Sequence, residues 1–457
     1  MAGVLGAAPS WGALGGLAKQ AAAALGPELA QAGRRAAGGN EGAPSAQSLL
    51  RTFGGSAADV RVVLYRDTHA WCPYCHKVWM QLEEKRLPYR VVKINMRCYG
   101  PKPRSFLQLT RGMGMLPVVE IDGKVWTESA VIMEQLETTF PEHRPLLPPR
   151  GSATRELADT QMAQERELFG CWLRWLRAEE SDRARDSFVV SMDRTDAMLG
   201  AAGLFFGGAE ISLVDCIFAS SLERIAASIL YYKGLQIKGA GRWPHVDSWF
   251  AEMERRDSYR ACQSDWHTHV HDLPPQIGGC LASGTPEQLL AAAAIDGTDG
   301  VAWRLPLQPN PLEPLPGPEQ PEADRAEAAL ALLTHHENIV ASSAAATGTE
   351  PDAADAAFRA TVAALLHQPE PNTDGAVAEE ADAGAASAAA ALRYTRDRIC
   401  VPRDMGLGAA RQLRAHLNFV ADALDADGLA GPAVPIATSN RHDVDPTRFG
   451  TQNAAQM

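Results

Sequence analysis

Residues 60–65 alternate apolar and polar positions, the pattern of a half-buried strand. Directly afterwards Cys75, Val78, Trp79 and Leu82 recur at i, i+3, i+4 and i+7, which is the apolar stripe of a helix. A second strand is predicted over 89–94. A Pro-interrupted stretch, 100–103, then leads into a short helix through Phe106 and Leu109. Residues 115–121 read as a strand opening near Pro117, and Asp122-Gly123 is a strong two-residue hairpin signal before a return strand at 124–127. Glu128-Ser129 then starts a helix whose apolar face is Val131, Ile132, Met133 and Leu136. Residues 59–140 are thus an α/β unit: strand, helix, strand, helix, hairpin, helix.

The period changes over 150–272, which reads as all helix. One helix covers 155–177, with Leu168, Cys171, Trp172, Trp175 and Leu176, and another covers about 186–199. Ser212-Leu213-Val214-Asp215 resembles a capping box, Asp replacing the usual Glu, before an apolar helix at 216–230. Pro244 opens a further helix through Val246, Trp249, Phe250 and Met253, aromatics that suit a core. His267, His269 and His271 alternate in what reads as a loop; a strand would put all three on one face, where they could ligate a metal. A solvated loop is the plainer reading.

Residues 273–321 are Pro-rich and Gly-spotted and read as a linker. Ala-rich helices follow within 322–425, near 323–341, 353–367, 381–398 and 409–424, and residues 426–457 read as a disordered tail. No chemistry can be derived for this extension. Residues 1–58 are rich in Ala, Gly and Ser, poor in acids, and carry scattered Lys19, Arg34, Arg35 and Arg51. That composition fits a transit segment for a plastid or mitochondrion, or plain disorder, and not a secretory signal.

A chain of 457 residues predicts two or three folded units. Its formal charge of -12 argues against nucleic acid or an anionic membrane as main partner. No apolar run reaches the length of a membrane span. Eight cysteines are too few for a disulfide scaffold at this size, and Cys-x-x-Cys between strand and helix implies a reducing compartment.

Chemistry concentrates in Trp71-Cys72-Pro73-Tyr74-Cys75-His76, where the first strand gives way to the helix. Pro73 suits the first helical position, so Cys72 faces unpaired N–H groups and the positive helix end, both of which favour thiolate, the nucleophile. Cys-x-x-Cys-His also marks c-type haem attachment, but that needs an export signal; a zinc knuckle needs a second Cys pair, which is missing. Two small buried thiols that merely pack are the bland alternative. Pro117 heads a strand either as an edge proline or, if Leu116-Pro117 is cis, so as to present the Leu116 backbone to an extended peptide. Glu128-Ser129 is either an ordinary N-cap or a place for a carboxylate at a helix start.

A strand–Cys-Pro-Tyr-Cys–helix, a strand-initial proline and a Glu-Ser pair after a hairpin resemble the glutathione-binding domain of glutathione transferases, and the helical domain with its Ser212-x-x-Asp215 box follows in the same order. Among the cysteine-type classes the chain is most similar to the iota class of photosynthetic organisms. That likeness lies in residues 71–79, in 82–86, in 271–276, and in having a C-terminal extension. The resemblance implies a thioredoxin-like domain followed by an all-α transferase domain, with glutathione as co-substrate and no metal. It implies Cys72 as nucleophile and Cys75 as a resolving thiol, with Pro73 and Tyr74 beside the ligand. Leu116 would offer its backbone to the cysteinyl part of glutathione, with Pro117 cis. Lys102 would meet the glycyl carboxylate, and Glu128 and Ser129 the γ-glutamyl end. Two motif cysteines form a dithiol glutaredoxin pattern, where most cysteine-type members have one. The implied activity is therefore thiol transfer or reduction through mixed disulfides, on small or protein disulfides and on dehydroascorbate, with a homodimer as the family's usual state; the composition of residues 1–58 points to the chloroplast as location, with the cytoplasm as the alternative. Two rivals stand beside it: an iron–sulfur carrier with glutathione ligands, and a non-enzymatic interaction protein using the C-terminal helices.

Overall fold

The structure is a computed structural model and describes residues 8–24, 44–179, 182–313, 321–367, 383–426, 428–430 and 433–444. The chain enters through helix α1 (Trp11–Ala24) and a short strand β1 (Leu50–Arg51). Then come β2 (Val62–Asp67), α2 (Pro73–Glu84), β3 (Tyr89–Ile94), α3 (Arg104–Leu109), β4 (Val118–Ile121), β5 (Lys124–Trp126) and α4 (Ser129–Thr139). The sheet order is β1-β3-β2-β4-β5, with β2 and β3 parallel and the other pairs antiparallel. Asp122 and Gly123 both have positive φ, 51° and 79°, the conformation that a twisted two-residue hairpin demands.

The helical part holds α5 (Ala153–Arg177), α6 (Asp182–Ala202), α7 (Leu213–Lys233), α8 (Pro244–Met253), α9 (Asp257–Cys262), α10 (Trp266–Asp272), α11 (Pro274–Ile277) and α12 (Pro286–Ile295). Helix α7 is buried almost all round, because it packs on α2 of the α/β unit as well as on its own neighbours. Ser212 and Asp215 form the anticipated box: Asp215 Oδ2 accepts from Ser212 N at 2.8 Å. One continuous apolar core runs from Val62 and Leu64 of the sheet to Trp249 and Val270 of the helices. The extension, α13 (Pro321–Thr347), α14 (Pro351–His367), α15 (Ala383–Arg396) and α16 (Leu407–Leu424), builds a second core.

Several sequence expectations are corrected. Residues 44–58 belong to the fold, not to a disordered or transit segment. Leu50 and Arg51 pair with Arg90 and Tyr89, and Arg51 Nε donates to Glu83 at 2.8 Å. Glu83 also accepts from Tyr89 Oη, which in turn accepts from Trp79 Nε1, so one buried polar group recruits β1, α2 and β3 together. Helix α1 docks on the extension: Leu14 and Ala18 are buried and Trp11 Nε1 donates to Asp355 at 2.7 Å.

The Pro-rich stretch 273–321 contains α11 and α12, and Trp303 is buried between the guanidinium groups of Arg396 and Arg414. The histidines lie on helix α10, not in a solvated loop; His267 and His269 are buried, His269 facing Glu223 of α7, and His271 is half-buried. Within the tail expected to be disordered, Arg441 is buried and donates to Asp272 Oδ1 at 2.8 Å. Residues 445–457 lie outside the described residues.

Candidate active site

Cys72 is the N-cap of α2 and Pro73 its first residue, as the strand–helix switch requires. The turn before it is tight. Asp67, at the end of β2, accepts with one carboxylate oxygen from Trp71 N at 2.6 Å and from Cys72 N at 3.1 Å, and Ala70 is held at φ 55°. Asp67 is wholly buried, so these bonds hold it by necessity. The Cys72 side chain takes no capping hydrogen bond from the helix. Its thiol partner is Cys75, one turn on, and the two cysteines are free of disulfides. Burial first, then the hydrogen bond it makes to Cys72, push the Cys75 thiol well above its ordinary range. Cys75 thus keeps its proton, and its sulfur lies within 4.8 Å of that of Cys72.

The other expected residues converge on the same edge. The Leu116-Pro117 peptide is cis, and Val118 beside it pairs with Tyr65, at the end of β2 that leads to Cys72. Lys102 is half-buried; its stem lies 3.4 Å from where a side chain on Gly114 would begin, and its ammonium feels both cysteines. Ser129 opens α4 with Glu128 as N-cap, held at φ 65°, a conformation that non-glycine residues adopt at some cost. Tyr74 is exposed, and its ring packs on Phe169 of α5, with 6.2 Å between centroids. Glu165 on the same helix faces Lys77 and is raised by burial.

One contributor carried no local sequence mark. Arg224, in the middle of α7, is fully buried, lies over the Trp71 ring at 5.1 Å and donates through Nε to the Trp71 carbonyl at 3.2 Å. Glu223, His76 and His269 surround it, and burial, then repulsion from Arg224, lowers His76 to about 3. His76 is therefore a neutral neighbour of the motif rather than a proton donor.

Of the three alternating histidines, His269 turns toward Glu223, 3.3 Å away. His267 and His271, one helical turn apart, share a face with Asp296. There His271 Nε2 lies 2.8 Å from Asp296, which also accepts from Tyr231 Oη, and His267 Nδ1 lies 3.4 Å from the Arg414 guanidinium. His267, His271 and Asp296 bring one ligand atom each within 4.8 Å, so two of the three alternating histidines belong to a set that could hold a metal ion. Asp67, Cys72 and Cys75 also bring one ligand atom each within 4.8 Å, a set whose thiolates could suit a soft metal or cluster. Among the described residues no helix is long and apolar enough to cross a membrane.

Residues 71–139 match a family model described as glutathione S-transferase, N-terminal domain. The Arabidopsis thaliana protein named glutathione S-transferase DHAR2 is 29% identical over 168 residues, 36% of this chain and 72% of the relative. Glutathione S-transferase DHAR3, chloroplastic, from the same plant is 24% identical over 209 residues, 46% of this chain and 75% of the relative. Among solved structures, the dehydroascorbate reductase of Chlamydomonas reinhardtii has a TM-score of 0.35 at 21% identity, covering 45% of this chain and 93% of that one. Residues 71–139 are thus similar to the N-terminal domain of glutathione S-transferases, and the comparisons do not select the iota class.

Proposed function

We propose that this chain is a glutathione-dependent thiol transferase or reductase with Cys72 as nucleophile. The observation that carries the reading is Cys72 at the start of α2, with the buried Cys75 one turn on, in a segment matching the glutathione S-transferase N-terminal domain. Cys72 thiolate attacks the glutathionyl sulfur of a mixed disulfide; the S–S bond breaks and the substrate thiolate leaves and takes up a proton. The enzyme is left as a Cys72–glutathione disulfide. A second glutathione thiolate attacks that disulfide, releasing oxidised glutathione and restoring Cys72. Cys75 could attack instead, but its buried, protonated thiol favours the external glutathione. Dehydroascorbate would be reduced in the same cycle, two glutathione thiols supplying the two electrons.

Glutathione would lie along the cis-Pro117 edge, its cysteinyl backbone on Leu116, its glycyl carboxylate at Lys102 and its γ-glutamyl end at Glu128 and Ser129. Pro73 and Tyr74 would border it, and the acceptor would enter beside the exposed Tyr74 ring. A chloroplast location is proposed on the composition of the N-terminal residues and on one relative's name, and a fluorescent fusion to the full chain tests it.

The test is reduction of a glutathione mixed disulfide by wild type, Cys72→Ser and Cys75→Ser, with intact mass of each trapped species. The expected result is an inactive Cys72→Ser and an active Cys75→Ser that accumulates a glutathione adduct. Full activity in Cys72→Ser would overturn the mechanism. An iron–sulfur carrier would instead give a coloured protein on anaerobic purification, with Cys72 as ligand.

A further inference from the structure

The extension reaches the active-site turn through the Arg403 side chain. Residues 398–405 form a loop between α15 and α16 that inserts beside α10. Val401 N donates to Thr268 Oγ1 at 3.0 Å, Ser264 Oγ donates to the Val401 carbonyl, and Arg414 Nη2 donates to the Ile399 carbonyl at 2.9 Å. From this loop the buried Arg403 extends its guanidinium to His69, with 2.8 Å between Nη1 and Nε2. Asp404 holds the other edge of the same guanidinium, at 2.6 Å and 2.7 Å, and the Val444 carbonyl accepts a further bond at 2.8 Å.

His69 lies three residues before Cys72, inside the turn that Asp67 closes. An arginine can only donate, so Nε2 of His69 must accept and the proton must sit on Nδ1. Nδ1 lies 3.1 Å from Thr68 Oγ1, which donates to Asn95 Oδ1 at 2.9 Å. The result is a chain of bonds with one direction, Arg403 to His69 to Thr68 to Asn95. The imidazole ring is clamped flat on Tyr99, with centroids 3.6 Å apart and planes at 15°. With Arg224 on the Trp71 carbonyl, the turn is gripped from two sides: by the helical domain and by the extension.

We propose that Arg403 is a positioning residue for Cys72, so that the C-terminal extension completes the active site by fixing the tautomer and ring plane of His69 and with them the turn at residues 67–72. This rests on reading Cys72 as the nucleophile. The extension is then part of the catalytic scaffold and not an appended module.

The test uses the full chain and four variants. Arg403→Met removes the donors, Arg403→Lys keeps one, and His69→Phe keeps the stack on Tyr99 but removes the acceptor. Arg393→Met is the control; it breaks an ion pair with Asp425 of 2.6 Å inside the extension, away from the turn. Three quantities are read: the rate at which iodoacetamide alkylates Cys72, followed by peptide mass; kcat and KM on a glutathionylated peptide; and the thermal midpoint. Arg403→Met and His69→Phe should each slow both Cys72 alkylation and kcat by about ten- to a hundredfold, with KM little changed. Arg403→Lys should recover part of the loss, and Arg393→Met should lower the midpoint while leaving alkylation at the wild-type rate. Wild-type alkylation in Arg403→Met or His69→Phe overturns the proposal, as does a loss in Arg393→Met that tracks its midpoint. If Arg403→Met does not fold, His69→Phe decides by the same criterion. If the wild type turns over no mixed disulfide while alkylation still responds to Arg403 and His69, the thiol-transfer reading fails and the positioning role stands.

Discussion

Cys72 and Cys75 stand one helical turn apart, yet their surroundings assign them opposite parts. Cys72 sits at the helix start, where the backbone dipole meets solvent-borne ligands; Cys75 is inside the first turn, where burial keeps its proton. Lys102 brings a cation to the same edge without a carboxylate partner fixed in a short ion pair among those described. Lys102→Ala should therefore raise KM for glutathione by about ten- to a hundredfold with kcat nearly unchanged, since a charge-assisted bond to a carboxylate contributes roughly 1.5–3 kcal/mol. Steady-state kinetics at varied glutathione check this, and an unchanged KM would remove Lys102 from the site. Arg224 is a different case, because it is buried and donates to two carbonyls, those of Trp71 and Ser220. Arg224→Met should cost about 3 kcal/mol in urea unfolding, because it leaves those buried carbonyls without their donor and removes a charge that the Glu223 carboxylate faces.

Among the elements, α7 shows how much one carboxylate can organise. Asp215 Oδ1 accepts from Phe206 N and from Trp249 Nε1, each at 2.9 Å, while Oδ2 accepts from Ser212 N and Oγ. It thus starts a helix, closes the loop before it and anchors α8. Burial raises the Asp215 carboxyl and the four bonds oppose that. Asp215→Ala should cost about 3 kcal/mol, more than an exposed cap is worth, because buried donors are left unpaired. Chemical denaturation of the variant measures it; a loss no larger than that of an exposed cap would show that water replaces the missing acceptor. The edge strand β1 follows the same logic on a smaller scale. Two residues of strand would not hold alone, and the Arg51–Glu83 pair makes them part of the sheet.

At the scale of the whole molecule, the units are joined by buried ion pairs. Arg414 pairs with Asp265 and Arg441 with Asp272, tying the extension and the tail to the two ends of α10. The interfaces also trap neutral histidines. Burial and neighbouring guanidinium groups lower His69, His267 and His76, the last to about 3 from 6.5, and burial lowers His416 to about 4. In that range the unfolded chain binds protons that the folded chain refuses, so these groups make stability rise with pH. The protein should therefore lose stability as pH falls below about 6.5 and go on losing it toward about 3, where His76 would at last take up its proton in place. Thermal midpoints across that range check this, and a flat profile from 6.5 to 4 would contradict it.

The local grammar of the chain determined a good deal. Asp122-Gly123 specified a hairpin because few other pairs tolerate two positive φ values, and the structure has both. Ser212 and Asp215 specified a helix start three residues long, and Cys72-Pro73 specified a thiol at the junction of strand and helix. Each of these is a short-range rule, satisfied by neighbours in sequence. What escaped the sequence depends on partners far along the chain. Arg224 meets Trp71 across 153 positions, and Arg403 meets His69 across 334. Neither arginine differs locally from one on a solvated helix or loop. Residues 50 and 51 became a strand because Tyr89 and Arg90 offered an open edge, and the histidines became a buried helix because α7 supplied Glu223. Periodicity records which face of an element is apolar, not which distant charge it will meet. The position of the reactive thiol was therefore legible in the sequence, and the grip upon it was decided only by the packing of the helical domain and the extension.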